Sequence, residues 1–179
     1  MEALHASMQR LNYINELKKH IQVHVYGSWG IYKCPSKGDC FDMLKWKYRF
    51  YLAFENSMCK DYVTEKFYFN ALQHNMLPIV INKGNFSDPT VAPPGCCINA
   101  SDFKAAKELA DYIRIVDSNT TLYSSYFKWH SRYRVQQESR AMAFCRTCQK
   151  LYTDSETKVY YNLYRWYGSK QNCVPYPTP

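Results

Sequence analysis

Two short apolar runs on either side of a helical pattern limit the architecture more than anything else in the chain. "YRFYLAFEN" (48–56) and "LPIVI" (77–81) are nearly continuous in apolar residues, as in strands covered on both faces, which belong to parallel sheets. Between them Phe67, Ala71, Leu72 and Asn75 recur at helical spacing, and Thr64 stands where an N-cap would. Parallel strands need a crossover, and this stretch supplies one. The unit predicts an α/β fold with a doubly wound parallel sheet, in which ligands bind at the carboxyl ends of the strands. Residues 56–66 lie at such an end. With 179 residues, the chain suits one domain over 1–179 and is short for two of ordinary size.

Elsewhere, Leu4, Met8, Leu11, Ile14 and Leu17 predict an amphipathic helix over 4–19, and "IQVHVYG" (21–27) alternates as a strand does. Residues 28–47 read as a loop, with Gly30, Pro35 and Gly38, which a short Cys34–Cys40 disulfide could close. Residues 82–97 read as a second loop. Ser101 is the expected cap of a helix over 102–117 whose core face carries Phe103, Ala106, Leu109, Ala110 and Ile113. An aromatic helix is expected over 120–140, and the Pro-rich end (168–179) reads as a frayed tail.

A net charge of +8 predicts attraction to anions: nucleic acid, an acidic membrane surface or a phosphorylated small molecule. The basic residues are scattered, with modest clusters at 45–49 and 128–134, and form no repeated stripe; nucleic acid is the least favoured of the three. Eight cysteines point to an oxidising compartment or a metal site. Sequons at Asn85, Asn99 and Asn119, in or beside expected loops, tilt this toward a secretory lumen. Cys145-Arg-Thr-Cys148 reads as disulfide-related, as half a zinc site or as a redox pair, and no second ligand pair of zinc spacing accompanies it. No run approaches the roughly 18 to 20 apolar residues of a membrane span, and residues 1–13 lack the apolar centre of a signal peptide.

Chemistry concentrates at Glu65 and Lys66. A helix N-terminus favours anions, and a lysine in its first turn, slightly unfavourable to the helix dipole, is offset by an anionic partner. Glu65, acceptor-only when ionised, suits the paired hydroxyls of a ribose, and Tyr62 can stack on a base or donate to a phosphate. Together they read as a nucleoside diphosphate site. The same residues also read more plainly: Glu65 and Lys66 as solvated first-turn residues, Tyr62 as a core aromatic, Asn56 as a strand terminator.

"FYLAFENSMCKDYVTEKFYFNAL" (50–72) resembles the signature of the α-1,3-fucosyltransferases, Golgi enzymes that move fucose from GDP-fucose to a sugar hydroxyl. "QRLNYINELKKHIQVHVYG" (9–27) and "APPGCCINASDFKAAKELADYI" (92–113) are similar to the segments flanking that signature, so nearly the whole chain is covered. The resemblance is to the invertebrate glycoprotein type and implies a Rossmann-like sheet forming the C-terminal, donor-binding half of a GT-B glycosyltransferase. It implies a hexosyltransferase that transfers L-fucose with inversion to N-acetylglucosamine of a glycoprotein glycan. It implies a full-length form anchored in the Golgi membrane as a single-pass type II protein, facing the lumen. The acceptor domain, stem and anchor would then lie outside these residues. GDP-fucose and the glycan are the implied partners, with no tightly bound cofactor and at most a non-essential divalent metal.

Carried over position by position, the resemblance places Arg10, Asn56, Tyr62, Glu65 and Lys66 around the donor. Arg10 and Lys66 would stabilise the departing diphosphate, and Arg10 also reads as an exposed helix residue. The general base would belong to the acceptor domain, leaving neither Glu55 nor Glu65 in that role. The C-x-x-C pair would bridge to cysteines of that domain. Residues 1–8 stand where the family has a strand end and loop, Cys96 and Cys97 where it has serine and an aromatic, and 82–87 differ from its Gly-rich loop. Two other readings stay open: a truncated fragment that binds GDP-fucose without transferring it, and a basic nucleic-acid-binding domain.

Overall fold

The structure, a computed structural model, describes residues 2–27, 30–34, 37–81, 84–136, 139–168 and 173–177. Its centre is a parallel sheet ordered β1–β3–β4, formed by Phe50–Leu52, Leu77–Val80 and Ile98–Asn99. Phe50 pairs with Leu77 and Ile79 with Ile98. Period-2 alternation divides the sheet's side chains between two cores. Phe54, Leu77, Ile79, Ile81 and Ile98 face a cluster shared with Tyr13, Leu17 and Leu109. Ala53 and Val80 face Phe67, Leu72 and Trp129. Helices therefore cover both faces of the sheet.

Helix α1 (Glu2–Leu17) buries Tyr13 and Leu17 and lies beside α3 (Ala106–Ser118). The expected core stripe of α3 is in place, with Ala106, Leu109, Ala110, Ile113 and Val116 buried and Phe103 partly so. Its start differs from expectation. Ser101 belongs to a separate 3₁₀ turn (Ala100–Asp102) capped by Asn99, whose Oδ1 accepts the Ser101 N–H at 3.0 Å, and α3 begins after Ala105.

Several other expectations are corrected. Residues 21–27 join no ladder among the described residues, where one isolated bridge ties Tyr26 to Tyr32; alternation marks a half-buried segment whether or not a partner strand exists. The expected loop over 28–47 contains helix α2 (Lys37–Lys47), fastened by a Cys34–Cys40 disulfide and packed through Cys40 and Leu44 onto Met76; Pro35 lies outside the described residues. The crossover helix is a π-helical turn (Lys66–Ala71) running into a 3₁₀ turn (Leu72–His74), ended by left-handed Asn75 at φ 56°. The expected helix over 120–140 breaks into α4 (Thr120–Ser125), a 3₁₀ turn (Lys128–Ser131) and residues 133–136 without regular structure; 137–138 lie outside the described residues.

Near the C-terminus, α5 (Arg140–Thr153) is capped by Ser139, whose hydroxyl accepts the Met142 N–H. Residues 141–166 are exposed throughout, Phe144, Leu151 and Tyr152 included. The tail was expected to fray, yet within the described residues 173–177 it docks. Strand β5 (Cys173–Val174) pairs antiparallel with β2 (Met58–Cys59), a Cys59–Cys173 disulfide locks them, and Tyr176 is buried. Composition reported the prolines but not the covalent anchor and the aromatic between them.

Candidate donor site

Because the three strands of the central sheet are parallel, their carboxyl ends share one edge, and the signature residues follow the end of β1. Asp61 adopts the left-handed conformation (φ 58°), which aspartate tolerates better than most residues, and turns the chain from β2 toward Tyr62.

Arg10 reaches this edge from α1. Its Nη1 donates to the Phe54 carbonyl at 3.4 Å and to Asn56 Oδ1 at 2.6 Å. The contact joins residues 46 apart in sequence, so Arg10 is here no free-standing helix residue. Lys66 comes from the other side, its Nζ 3.0 Å from Glu55 Oε2 and 3.3 Å from Thr64 Oγ1. Glu55 is almost fully buried, with 2% of its side chain exposed against 20% for Lys66. Its carboxylate also accepts the Thr64 N–H and hydroxyl at 2.8 Å. A buried carboxylate is tolerated when paired and hydrogen-bonded, and both conditions hold. An ammonium has three N–H donors; Glu55 Oε2 and Thr64 Oγ1 lie within hydrogen-bond distance of that of Lys66.

The amides at the helix start are arranged differently from the sequence expectation. Thr64 N–H is taken by Glu55, Phe67 N–H by the Thr64 carbonyl at 3.2 Å, and Lys66 N–H faces Thr64 Oγ1 at 3.5 Å. Glu65 caps nothing with its side chain, and its carboxylate is mostly exposed, 3.8 Å from the Lys66 ammonium. The Thr64, Lys66 and Phe67 amides thus face protein acceptors within residues 55–64.

Tyr62 is half-buried, its N–H donating to the Cys59 carbonyl at 3.3 Å. Its phenol lies in the same electrostatic neighbourhood as Arg10 and Glu55, since all three act on Tyr176. Burial pushes the Tyr176 hydroxyl well above the ordinary tyrosine range, Arg10 opposes this, and Glu55 and Tyr62 add to it. Arg10, Glu55, Asn56, Tyr62 and Lys66 are thus gathered at one edge, with Glu65 on its solvent side. A cavity of about 280 Å³ opens nearby between Tyr13, Phe103 and the tail, and none of the five predicted donor residues lines it.

Sequence reasoning missed three participants. Glu55 carried a signal, as a lone carboxylate closing an apolar run. Thr64 was read as a cap and instead bridges Glu55 and Lys66. Tyr176 sits in a stretch whose composition suggested nothing. The sequons divide: Asn85 and Asn119 are exposed, whereas Asn99 lies partly buried in β4. Cys145 and Cys148 are free, exposed thiols on α5, and no group of three or more His, Cys, Asp or Glu side chains able to hold a metal ion occurs among the described residues.

A parallel sheet covered on both faces, with its cationic groups at the strand carboxyl ends, is the α/β architecture of a GT-B glycosyltransferase's C-terminal half. Two solved structures share it: an α1,3-fucosyltransferase with GDP-fucose (TM-score 0.57, 22% identity, 88% of this chain and 47% of that one) and the same kind of enzyme with GDP (TM-score 0.57, 23% identity, 87% and 45%). Residues 2–166 match the family model for the glycosyltransferase family 10 (fucosyltransferase) C-terminal region. The chain is 41% identical over 170 residues to glycoprotein 3-alpha-L-fucosyltransferase A of Drosophila melanogaster, covering 92% of this chain and 33% of the relative. It is 37% identical over 161 residues to alpha-(1,3)-fucosyltransferase fut-1 of Caenorhabditis elegans, covering 84% and 36%. The chain belongs to glycosyltransferase family 10, the fucosyltransferases, and spans about a third of the length of these relatives.

Proposed function

We propose that residues 1–179 form one donor-binding unit of a fucosyltransferase that moves L-fucose from GDP-fucose to a hydroxyl of N-acetylglucosamine on a glycoprotein glycan, with inversion. The observation carrying this reading is that two cations from separate elements reach neighbouring residues at the carboxyl end of β1, Arg10 bonding Asn56 and Lys66 bonding Glu55. In the reaction the acceptor oxygen bonds to the anomeric carbon as the bond to the diphosphate breaks. Arg10 and Lys66 take up the negative charge that develops on the leaving GDP. Tyr62 packs on or donates to the nucleotide, and exposed Glu65 accepts from the ribose hydroxyls. The base that removes the acceptor proton belongs to sequence outside these residues, as does the acceptor half. The exposed face of α5 with Cys145 and Cys148 is the surface offered to that half. Secretory-pathway residence, in the Golgi lumen on a type II anchor, is part of the same reading, and the two disulfides support an oxidising compartment.

A second reading is a chain that binds the donor without transferring it. Two measurements separate the readings: calorimetric titration of the chain with GDP-fucose, and transfer of labelled fucose to an N-glycan acceptor by a longer chain containing it. Saturable binding with transfer supports the enzyme, and binding without transfer supports the second reading. Tighter binding to a random oligonucleotide than to GDP-fucose would overturn both.

A further inference from the structure

Arg10 and Asn56 come from segments far apart in sequence, and the C-terminal segment Cys173–Pro177 spans the two. Tyr176 touches both sides. Its N–H donates to Gln9 Oε1 at 3.2 Å, beside Arg10 on α1, and its hydroxyl donates to the Glu55 carbonyl, between the two residues that accept from Arg10. Tyr176 is 4% exposed. It sits between Pro175 and Pro177, and a residue before proline is confined to extended backbone, so little freedom remains in its presentation. The segment is anchored at its other end by the disulfide to Cys59, within the donor stretch, and it forms one wall of the nearby cavity through Val174, Pro175 and Pro177.

We infer that Tyr176, on a disulfide-fastened strap, is a positioning residue for Arg10 and that the strap thereby sets the affinity of the site for a nucleoside diphosphate. This rests on the donor-site reading above. The strap needs no contact with the ligand; it fixes the distance between helix α1 and the end of β1, and Arg10 can meet a diphosphate with its guanidinium already oriented. A tyrosine that merely fills the core would affect stability without affecting binding. The molecule contains a matched control: Tyr123 donates its hydroxyl to the Arg49 carbonyl at 3.0 Å, at the opposite end of β1.

The test is calorimetric titration with GDP of the unmodified chain and of Tyr176→Phe, Gln9→Ala, Tyr123→Phe and Cys59→Ser/Cys173→Ser, each accompanied by a thermal melt. Tyr176→Phe is expected to weaken GDP binding about tenfold, the worth of one hydrogen bond. Gln9→Ala and the double serine variant shift affinity in the same direction. Tyr123→Phe lowers the melting temperature but leaves affinity within about twofold. Equal affinity in Tyr176→Phe and the unmodified chain overturns the inference, as does a loss in Tyr123→Phe matching that in Tyr176→Phe. Should Tyr176→Phe fail to fold, unchanged affinity in Gln9→Ala overturns it. Absence of GDP binding by the folded, unmodified chain defeats the donor-site reading itself, and the inference with it.

Discussion

Replacing Lys66 with methionine keeps an unbranched side chain one atom shorter and removes its charge, leaving the Glu55 carboxylate buried without that counter-ion. At 3.0 Å, an effective dielectric of about 20 gives roughly 5 kcal/mol of Coulomb attraction, partly offset by the desolvation of both groups. Removing one partner of a buried pair costs about 3–5 kcal/mol. The Lys66 end admits some solvent, with 20% exposed, so the lower figure applies, about 3 kcal/mol. Glu55→Gln retains an oxygen for the Thr64 N–H and leaves a lysine that can turn toward water, at about 1–2 kcal/mol. The double variant has no buried charge to compensate and is expected near 2 kcal/mol, a coupling of about 2–3 kcal/mol. Urea unfolding at pH 7, followed by circular dichroism with slopes compared across the four proteins, measures each corner of the cycle. Additive single-variant effects, or a Lys66→Met loss below about 0.5 kcal/mol, would show that the pair is not coupled in the folded chain.

In a longer enzyme containing this chain, Lys66→Ala is expected to lower turnover ten- to hundredfold, the worth of a charge-assisted contact of about 1.5–3 kcal/mol realised in the transition state; steady-state kinetics read it directly. Loss of the Cys59–Cys173 bridge, which spans 114 residues, should destabilise by about 2–5 kcal/mol in denaturant melts of the double serine variant. Above pH 10 stability should fall: burial and the hydroxyl of Tyr26 push Tyr48 from 10.0 up to about 12, and burial raises Tyr176 in the same direction. The unfolded chain then releases these protons first, so their contribution is complete below pH 10 and lost as pH rises through about 12, with tyrosinate absorbance reporting the step. Expressed in a secretory host, the chain should carry glycan on exposed Asn85 and not on Asn99, whose side chain caps the Ser101 turn; site-resolved mass spectrometry decides.

The sequence alone determined the strand–crossover–strand unit and the core stripe of α3, because apolar periodicity is a local record of which face is buried. It also marked Asn56, Tyr62, Glu65 and Lys66, which lie within eleven residues on one side of β1. It could not supply partners. Residues 21–27 have strand alternation and no ladder among the described residues, Thr64 has cap chemistry and bridges a buried ion pair, and Lys66 faces Glu55 where the helix amides were expected to assist it. Only the tertiary structure brings Gln9 and Arg10 to residues 54–56 and carries Cys173 and Tyr176 across the chain to join them. The physical reason is range: burial patterns repeat every two or four residues, whereas a hydrogen bond between residues 121 apart leaves no periodic trace in either segment.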